Sequence, residues 1–422
     1  MNILILGINY APELTGIGKY TGEMAEWLAA NGHRVSVVTA PPYYPQWRVA
    51  PGYRAWTYRT EIRNGVRVLR CPLWVPRRVT AARRLIHLLS FSISSSLPAI
   101  LLAARTRPDV MMTIQPPLFS ALPGWLAAKS ARAKAWLHVQ DDELKAAFEL
   151  GLFRGRWVHG MLKGIERFLL RRFDVVSSIS EDMLRQLERK SIVRNRQFLF
   201  PNWVDTDGIF PLSGTNRLRA EWGIPESEIV ALYAGSMGQK QGLEILAQAA
   251  KLLSPQWKVR IVACGEGSTR ELLIRQSAGI PNLQFIPLQP AERLNELLNM
   301  ADIHLLIQRD QGLEAFMPSK LGGMLASGKP VVATTLPLSQ TGSIVQECGI
   351  VVPPGNAAAL ADAITQLAGD PARRTRLGDS ARRYATAHLK KESILSKFQE
   401  RLLGDHPRHS AKDGSLANEM CR

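Results

Sequence analysis

The chain has 422 residues, 46% apolar and 21% charged, a length beyond one ordinary domain and a composition that excludes a disordered or fibrous protein. Its formal charge of +17 is uneven: residues 1–200 carry 29 Lys and Arg against 14 Asp and Glu, whereas residues 201–422 carry 24 against 22. A basic first half favours phosphate-bearing partners, but with no zinc finger, helix-turn-helix or aromatic–basic interleave, nucleic acid is not expected among them.

The chain opens on a strand, "NILILG", with no basic leader before it. A glycine-rich turn and an amphipathic helix, "GKYTGEMAEWLAANG", follow. Gly16, Gly18 and Gly22 miss the dinucleotide spacing, and Tyr20 after Lys19 excludes a Walker A loop. Gly16 and Gly18 would let backbone N–H groups approach an anion at the helix start. Further strands are predicted at "RVSVVTA", "VRVLRCPL", "DVMMTIQ", "KAWLHVQ", "DVVSSIS" and "QFLFPN", alternating with helices as in a parallel sheet covered on both faces. The uncharged run at 85–104, "LIHLLSFSISSSLPAILLAA", is long enough to cross a bilayer, but five serines, a histidine and a proline weaken that reading. It is a buried core helix or one lying on a membrane surface. Its basic neighbours are Arg77, Arg78, Arg83 and Arg84, and a second cluster runs from Arg154 to Arg172. These flanks would suit anionic headgroups. In "LHVQDDE", His138, Gln140 and Asp141 end a strand. His138 or Asp141 could accept a hydroxyl proton there; equally, His138 could be a core residue and the acids a helix cap.

A Pro/Gly-rich passage at 200–214 marks the boundary between domains 1–205 and 206–404, with residues 405–422 a polar tail. The strand series then restarts: "EIVALYAG", "WKVRIVACG", "LQFIPL", "IHLLIQ", "PVVATT" and "GIVVPPG". Two doubly wound domains facing each other would bind ligands at the carboxyl ends of their strands. "YAGSMGQKQGLE" places Gly235, Ser236 and Lys240 after a strand and before a helix, where an unpaired lysine opposes the helix dipole and a diphosphate would reverse the sign. "ACGEGS" supplies a second turn, Gly265, Glu266 and Gly267. In "EAFMPSKLGGMLASGKPVVATT", Pro318 and Ser319 open a helix with Lys320 in its first turn, and Gly328 and Pro330 close it. Cys71, Cys264, Cys348 and Cys421 show no ligand spacing, which points to a reducing compartment. Asp205 and Asp207 in "VDTDG" lie in the interdomain passage and are not read as a metal pair.

These motifs, with "PELTGIGKY", "PNWVDTDGIF" and "GIVVPPGNAAALADAI", make the chain resemble a retaining GT-B glycosyltransferase of the group 1, family 4 type over nearly its whole length. Residues 7–47 are similar to the start of the colanic acid biosynthesis fucosyltransferase group. The resemblance implies two Rossmann-like domains facing across a cleft, an acceptor domain followed by a nucleotide-sugar donor domain. The last helix would pack back on the first. It implies donor contacts from Gly235, Ser236, Lys240, Gly265, Glu266, Gly267, Pro318, Ser319, Lys320 and Leu321, acceptor contacts from Gly16, Gly18 and Lys19, and a sugar-facing role for Glu314. With His138 and Asp141, Lys240 and Glu314 make up the candidate catalytic set. One departure stands out: the ribose-binding glutamate of many relatives falls at Gly323, and its earlier partner at Ala315.

The expected activity is transfer of a sugar from a nucleotide diphosphate sugar, GDP-fucose favoured, to a polyprenyl-diphosphate-linked glycan in exopolysaccharide assembly. The configuration would be retained, with no metal and no cofactor besides the donor. The expected place is the cytoplasm, peripherally at the inner face of the plasma membrane. The alternatives are a GT-B nucleotide-sugar 2-epimerase, which would need a denser set of carboxylates, and a non-catalytic membrane scaffold with a degenerate donor site, for which Gly323 speaks.

Overall fold

A computed structural model describes residues 1–13, 16–78, 80–141, 156–309 and 318–404, without the side chains of Ala81, residues 156–159 and Lys240. The chain divides into two compact units, Met1–Pro201 with the segment from Leu395, and Asn202–Ile394.

Unit 1 is built on β1 (Asn2–Leu6), β2 (Arg34–Thr39), β3 (Arg59–Arg63), β4 (Val66–Arg70), β5 (Val110–Gln115), β6 (Lys134–Val139), β7 (Val175–Ser178) and β8 (Gln197–Leu199). The order is β3-β4-β2-β1-β5-β6-β7-β8, and all neighbours are parallel except β3 and β4. Its helices are α1 (Gly16–Ala30), α2 (Ala81–Thr106), α3 (Ala121–Ala131), α4 (Arg156–Leu170) and α5 (Glu181–Arg189). The central strands are continuous apolar runs because both sheet faces are covered; every residue of β5 is buried. The sequence pattern missed β3, whose residues are mostly polar and exposed. Asn64 and Gly65, at φ 45° and 78°, make the turn from β3 into β4, as an Asn-Gly hairpin requires.

Unit 2 holds a six-stranded, wholly parallel sheet: β9 (Ile229–Ala234), β10 (Val259–Cys264), β11 (Leu283–Ile286), β12 (Ile303–Leu306), β13 (Val331–Thr334) and β14 (Gly349–Val352), in the order β11-β10-β9-β12-β13-β14. Around it lie α6 (Arg217–Glu221), α7 (Glu244–Leu252), α8 (Arg270–Gln276), α9 (Leu294–Asn299), α10 (Ser319–Ala326), α11 (Gln340–Cys348), α12 (Ala357–Gly369) and α13 (Pro371–His388); α14 (Lys391–Gly404) follows. The strand order reverses beside β1 in unit 1 and beside β9 in unit 2. In each sheet taken by itself, the loop leaving that strand stands at the switch point where such sheets take ligands.

The uncharged run forms α2. Its inner face, Leu88, Phe91, Ala99 and Ala103, belongs to the unit 1 core. The serines explain how a helix this apolar carries them: Ser92 donates to the Leu88 carbonyl at 3.1 Å and Ser95 to that of Phe91 at 2.7 Å, so the hydroxyls are satisfied within the helix. Pro98 removes the N–H that would reach the Ser94 carbonyl, and the Tyr58 hydroxyl takes that acceptor at 3.0 Å. By length and composition α2 could cross a membrane; in this fold its inner half is core.

Late in the chain, Phe398 stacks on Phe200 with ring centroids 4.3 Å apart and meets Trp136 edge-on at 5.2 Å. Phe398 is 1% exposed. Its truncation to alanine is expected to cost unit 1 about 3–5 kcal/mol, read by chemical denaturation. A loss below about 1 kcal/mol would show that the cluster closes over the gap.

Candidate active site

In unit 2 the turns leaving β9 and β10 pack backbone on backbone. Gly235 N–H donates to the Cys264 carbonyl at 2.9 Å and Met237 N–H to the Glu266 carbonyl at 2.8 Å. Gly265 and Gly267 have φ of 148° and 156°. A Cβ on Gly265 would stand 1.9 Å from the Gly235 oxygen, and one on Gly267 2.3 Å from that of Met237. No side chain fits there. Thr269 locks the pair by donating its N–H and hydroxyl to the Met237 carbonyl at 3.0 and 2.8 Å.

Onto this platform the first turn of α10 delivers Lys320. Pro318 caps the helix with extended backbone and Gly328 leaves it at φ 70°, as the sequence pattern anticipates. The ammonium lies 3.2 Å from where a Gly235 Cβ would be, donates to the Tyr233 hydroxyl at 3.1 Å, and lies 4.2 Å from that ring's centroid. The Tyr233 hydroxyl donates in turn to the Ser236 carbonyl at 2.6 Å. No carboxylate forms an ion pair with Lys320 among the described residues. Burial therefore pushes its pKa down to about 8. A cation with no described counter-ion, at a helix N-terminus that itself favours negative charge, is an arrangement that an anion would stabilise.

Next to this platform are cavities of about 320 Å³ and 500 Å³. Both are lined by Glu244 and Arg309, which pair at 2.5 Å. Gly238 and Thr269 line the larger, Gly242 and Gln308 the smaller. Arg309 packs over Gly242, where φ is 70° and a Cβ would meet its Cγ at 2.6 Å.

In unit 1 the turn after β1 is held from within. Glu13 is 6% exposed and accepts from Tyr43 and Tyr44 N–H, each at 3.0 Å, and from Asn9 at 2.9 Å. Burial raises its pKa and those bonds oppose the rise. A Cβ on Gly18 would lie 2.4 Å from a Glu13 carboxylate oxygen, so the space over Gly18 belongs to Glu13. Arg70, 1% exposed, donates to Glu61 at 2.8 Å and to the Ala40 carbonyl at 3.0 Å, and stacks on Tyr10 and Tyr53. Gly16 takes φ 62°, and Lys19 is half-exposed with Glu23 at 3.9 Å.

The expected residues thus fall into groups. Gly235, Ser236, Gly265, Glu266, Gly267, Pro318, Ser319 and Lys320 converge at the carboxyl ends of β9 and β10. Leu321 faces the apolar core at 0% exposure, which leaves only its backbone for a ligand. Lys240 lies in the short turn Gln239–Gln241, its side chain outside the described residues. Glu314 is also outside them, as are Asp142, Glu143 and the tail. His138 needs correction as a proton acceptor. It is 2% exposed in β6, hydrogen-bonded to the Ser177 hydroxyl at 2.9 Å and packed on Phe200, and desolvation pushes its pKa down to about 3. That is the environment of a neutral core histidine. Asp141, partly buried, follows β6. A side chain at Gly323 would start 3.3 Å from Leu298. Glu13, Arg70, Tyr233 and Arg309 were not picked out from sequence. The one visible signal was "PEL" before the glycines.

Residues 15–203 match the glycosyl transferase 4-like domain and residues 214–384 match glycosyl transferases group 1. The chain is 39% identical over 407 residues, 94% of its length and 98% of the relative's, to WcaI of Escherichia coli K12, provisionally assigned as a colanic acid biosynthesis glycosyl transferase. This chain is a group 1 glycosyltransferase. Among solved structures, the glycosyltransferase matches sucrose-phosphate synthase from Thermosynechococcus elongatus at TM-score 0.72 and 19% identity, covering 94% of this chain and 97% of that one. It matches Anabaena HepE, solved with UDP-glucose, at TM-score 0.67 and 16% identity, covering 95% and 99%. The two parallel-sheet units are the GT-B architecture that the sequence pattern implied.

Because Lys320 loses its charge near pH 8 in the free protein, affinity for a nucleoside diphosphate is expected to weaken about tenfold between about pH 7 and about pH 9. The sign follows from the anion favouring the ammonium. Lys320→Gln should bind weakly with a flat profile, by titration calorimetry. A wild-type profile flat over that range would remove Lys320 from phosphate binding.

Proposed function

We propose that the glycosyltransferase moves a sugar from a nucleotide diphosphate sugar, with GDP-fucose favoured, to a polyprenyl-diphosphate-linked glycan during exopolysaccharide assembly in the cytoplasm, retaining the anomeric configuration. What carries the reading is the Lys320 ammonium, fixed over Gly235 at the start of α10 with no carboxylate paired to it among the described residues. Charge grows on the leaving phosphate as the glycosidic bond breaks, and a preorganised cation stabilises that charge more than the ground state. The relationship to WcaI, a colanic acid biosynthesis glycosyl transferase by its provisional name, supports the assembly pathway.

In this mechanism the departing diphosphate takes the acceptor proton on the face of attack, so no side-chain nucleophile is required. Lys240 is assigned to the same diphosphate and Glu314 to the sugar. Asp141 remains a candidate for orienting the acceptor hydroxyl, with Gly16, Gly18 and Lys19 on the acceptor side. With Gly323 in place of a carboxylate, ribose contacts fall to backbone groups.

Thermal shift with a panel of GDP- and UDP-sugars tests the donor. At a hundredfold excess over Kd the true donor should stabilise the fold by about 2.7 kcal/mol. Stabilisation by a UDP-sugar and not by GDP-fucose would reassign the donor, and none by any would favour the scaffold reading. Lys240→Ala should keep the wild-type melting temperature and lose about a hundredfold in turnover. Unchanged turnover in that folded variant would take Lys240 out of catalysis.

A further inference from the structure

Helices α2, α3 and α4 pack in that sequence on one side of the unit 1 sheet. The outward face of α2 is apolar: Ile86, Ile93, Leu97 and Leu101 are 51–74% exposed and fall on one stripe at helical spacing. On α3, Leu122 and Leu126, one turn apart, are 44% and 41% exposed. On α4, Met161, Ile165 and Phe168 repeat the pattern at 45–59%. The rows on α3 and α4 meet, because the Arg172 guanidinium lies between Trp125 and Phe168, 5.3 and 4.3 Å from their rings. Large side chains exposed together on three adjacent helices are rare on a surface that faces only water.

Among the described residues, the exposed charges on these three helices have one sign, Glu166 of α4 being buried against Lys190. Arg83 and Arg84 stand in the first turn of α2, which has no acid to offset the helix dipole. Lys163 and Arg167 on α4, with Arg171 just beyond its end, form an exposed row. Between Ile62 and Gln140 the sole carboxylate is Asp109, which accepts from the Asn2 N–H at 2.7 Å and so is spent at the foot of the sheet. An apolar strip bounded by exposed cations complements an anionic bilayer: side chains enter the acyl boundary and guanidinium groups meet phosphates. A protein partner would be expected to meet a more mixed rim.

We propose that the α2–α3–α4 face of unit 1 docks in the plane of an anionic lipid bilayer, with Ile93, Leu97, Leu101, Ile165 and Phe168 entering it and no helix crossing it. The proposal deepens the reading above, in which the acceptor carries a polyprenyl chain, but its test needs neither donor nor acceptor. Attachment can therefore fail while sugar transfer stands, and the reverse.

The full chain is floated with vesicles of equal parts phosphatidylglycerol and phosphatidylcholine, and with phosphatidylcholine alone. Binding is expected to the first and not the second, and to weaken in high salt. Leu97→Glu with Ile165→Glu should lower partitioning about tenfold, and Arg83→Glu with Arg167→Glu should remove the preference for anionic lipid. Hydrogen exchange of the unmodified chain, with and without vesicles, gives a reading independent of variant folding: new protection should fall on α2, α3 and α4. Absence of binding to anionic vesicles at low salt, wild-type flotation of the Leu97/Ile165 variant, or protection elsewhere would each overturn the proposal. So would a stable dimer in solution covering this face.

Discussion

A positive charge held where no described residue offers it a negative partner marks the centre of unit 2. Lys320 reaches over Gly235 to the Tyr233 hydroxyl, and everything near it serves that placement. The buried tyrosine gives the ammonium one hydrogen bond and a ring face, enough to fix its position but not to neutralise it. The charge is thereby kept available, at the cost of a depressed pKa. A carboxylate in the same place would have made a sound ion pair and a poor anion site.

Unit 1 uses the opposite device at the corresponding turn. Glu13 is buried and bonded to two backbone N–H groups and an asparagine, so the glycines of α1 close over a carboxylate supplied by the chain. Arg70 does the same for the carbonyl side, drawing together Glu61 and Ala40. One switch-point turn is filled by the protein's own charge, and the other holds a charge that no described carboxylate answers. That contrast fits a division in which the strong anion is bound in unit 2.

Much of this was legible in the amino-acid sequence, for local reasons. The strands of unit 2 are short apolar runs bounded by glycine and proline, and a wholly parallel sheet buried on both faces shows that pattern at every strand. Lys320 stood out because Pro318 and Gly328 delimit its helix within eleven residues. The misses are non-local. Glu13 acquires its role from Tyr43, thirty positions on, and Tyr233 from Lys320, eighty-seven positions away. β3 escaped because an exposed edge strand lacks the apolar run, although Asn64–Gly65 announced the hairpin. His138 misled because a strand end looks alike in sequence whether its side chain meets solvent or a phenylalanine.

The interlocked glycine turns of unit 2 bear on how the proposed donor site could change. Where main chain abuts main chain at Gly235, Gly265 and Gly267, mutation has no side chain to vary and almost no room to add one. Evolution, or an engineer, seeking a different sugar must leave that floor alone and work on the walls. Glu244 and Arg309, which line both neighbouring cavities, are where such variation is free to occur.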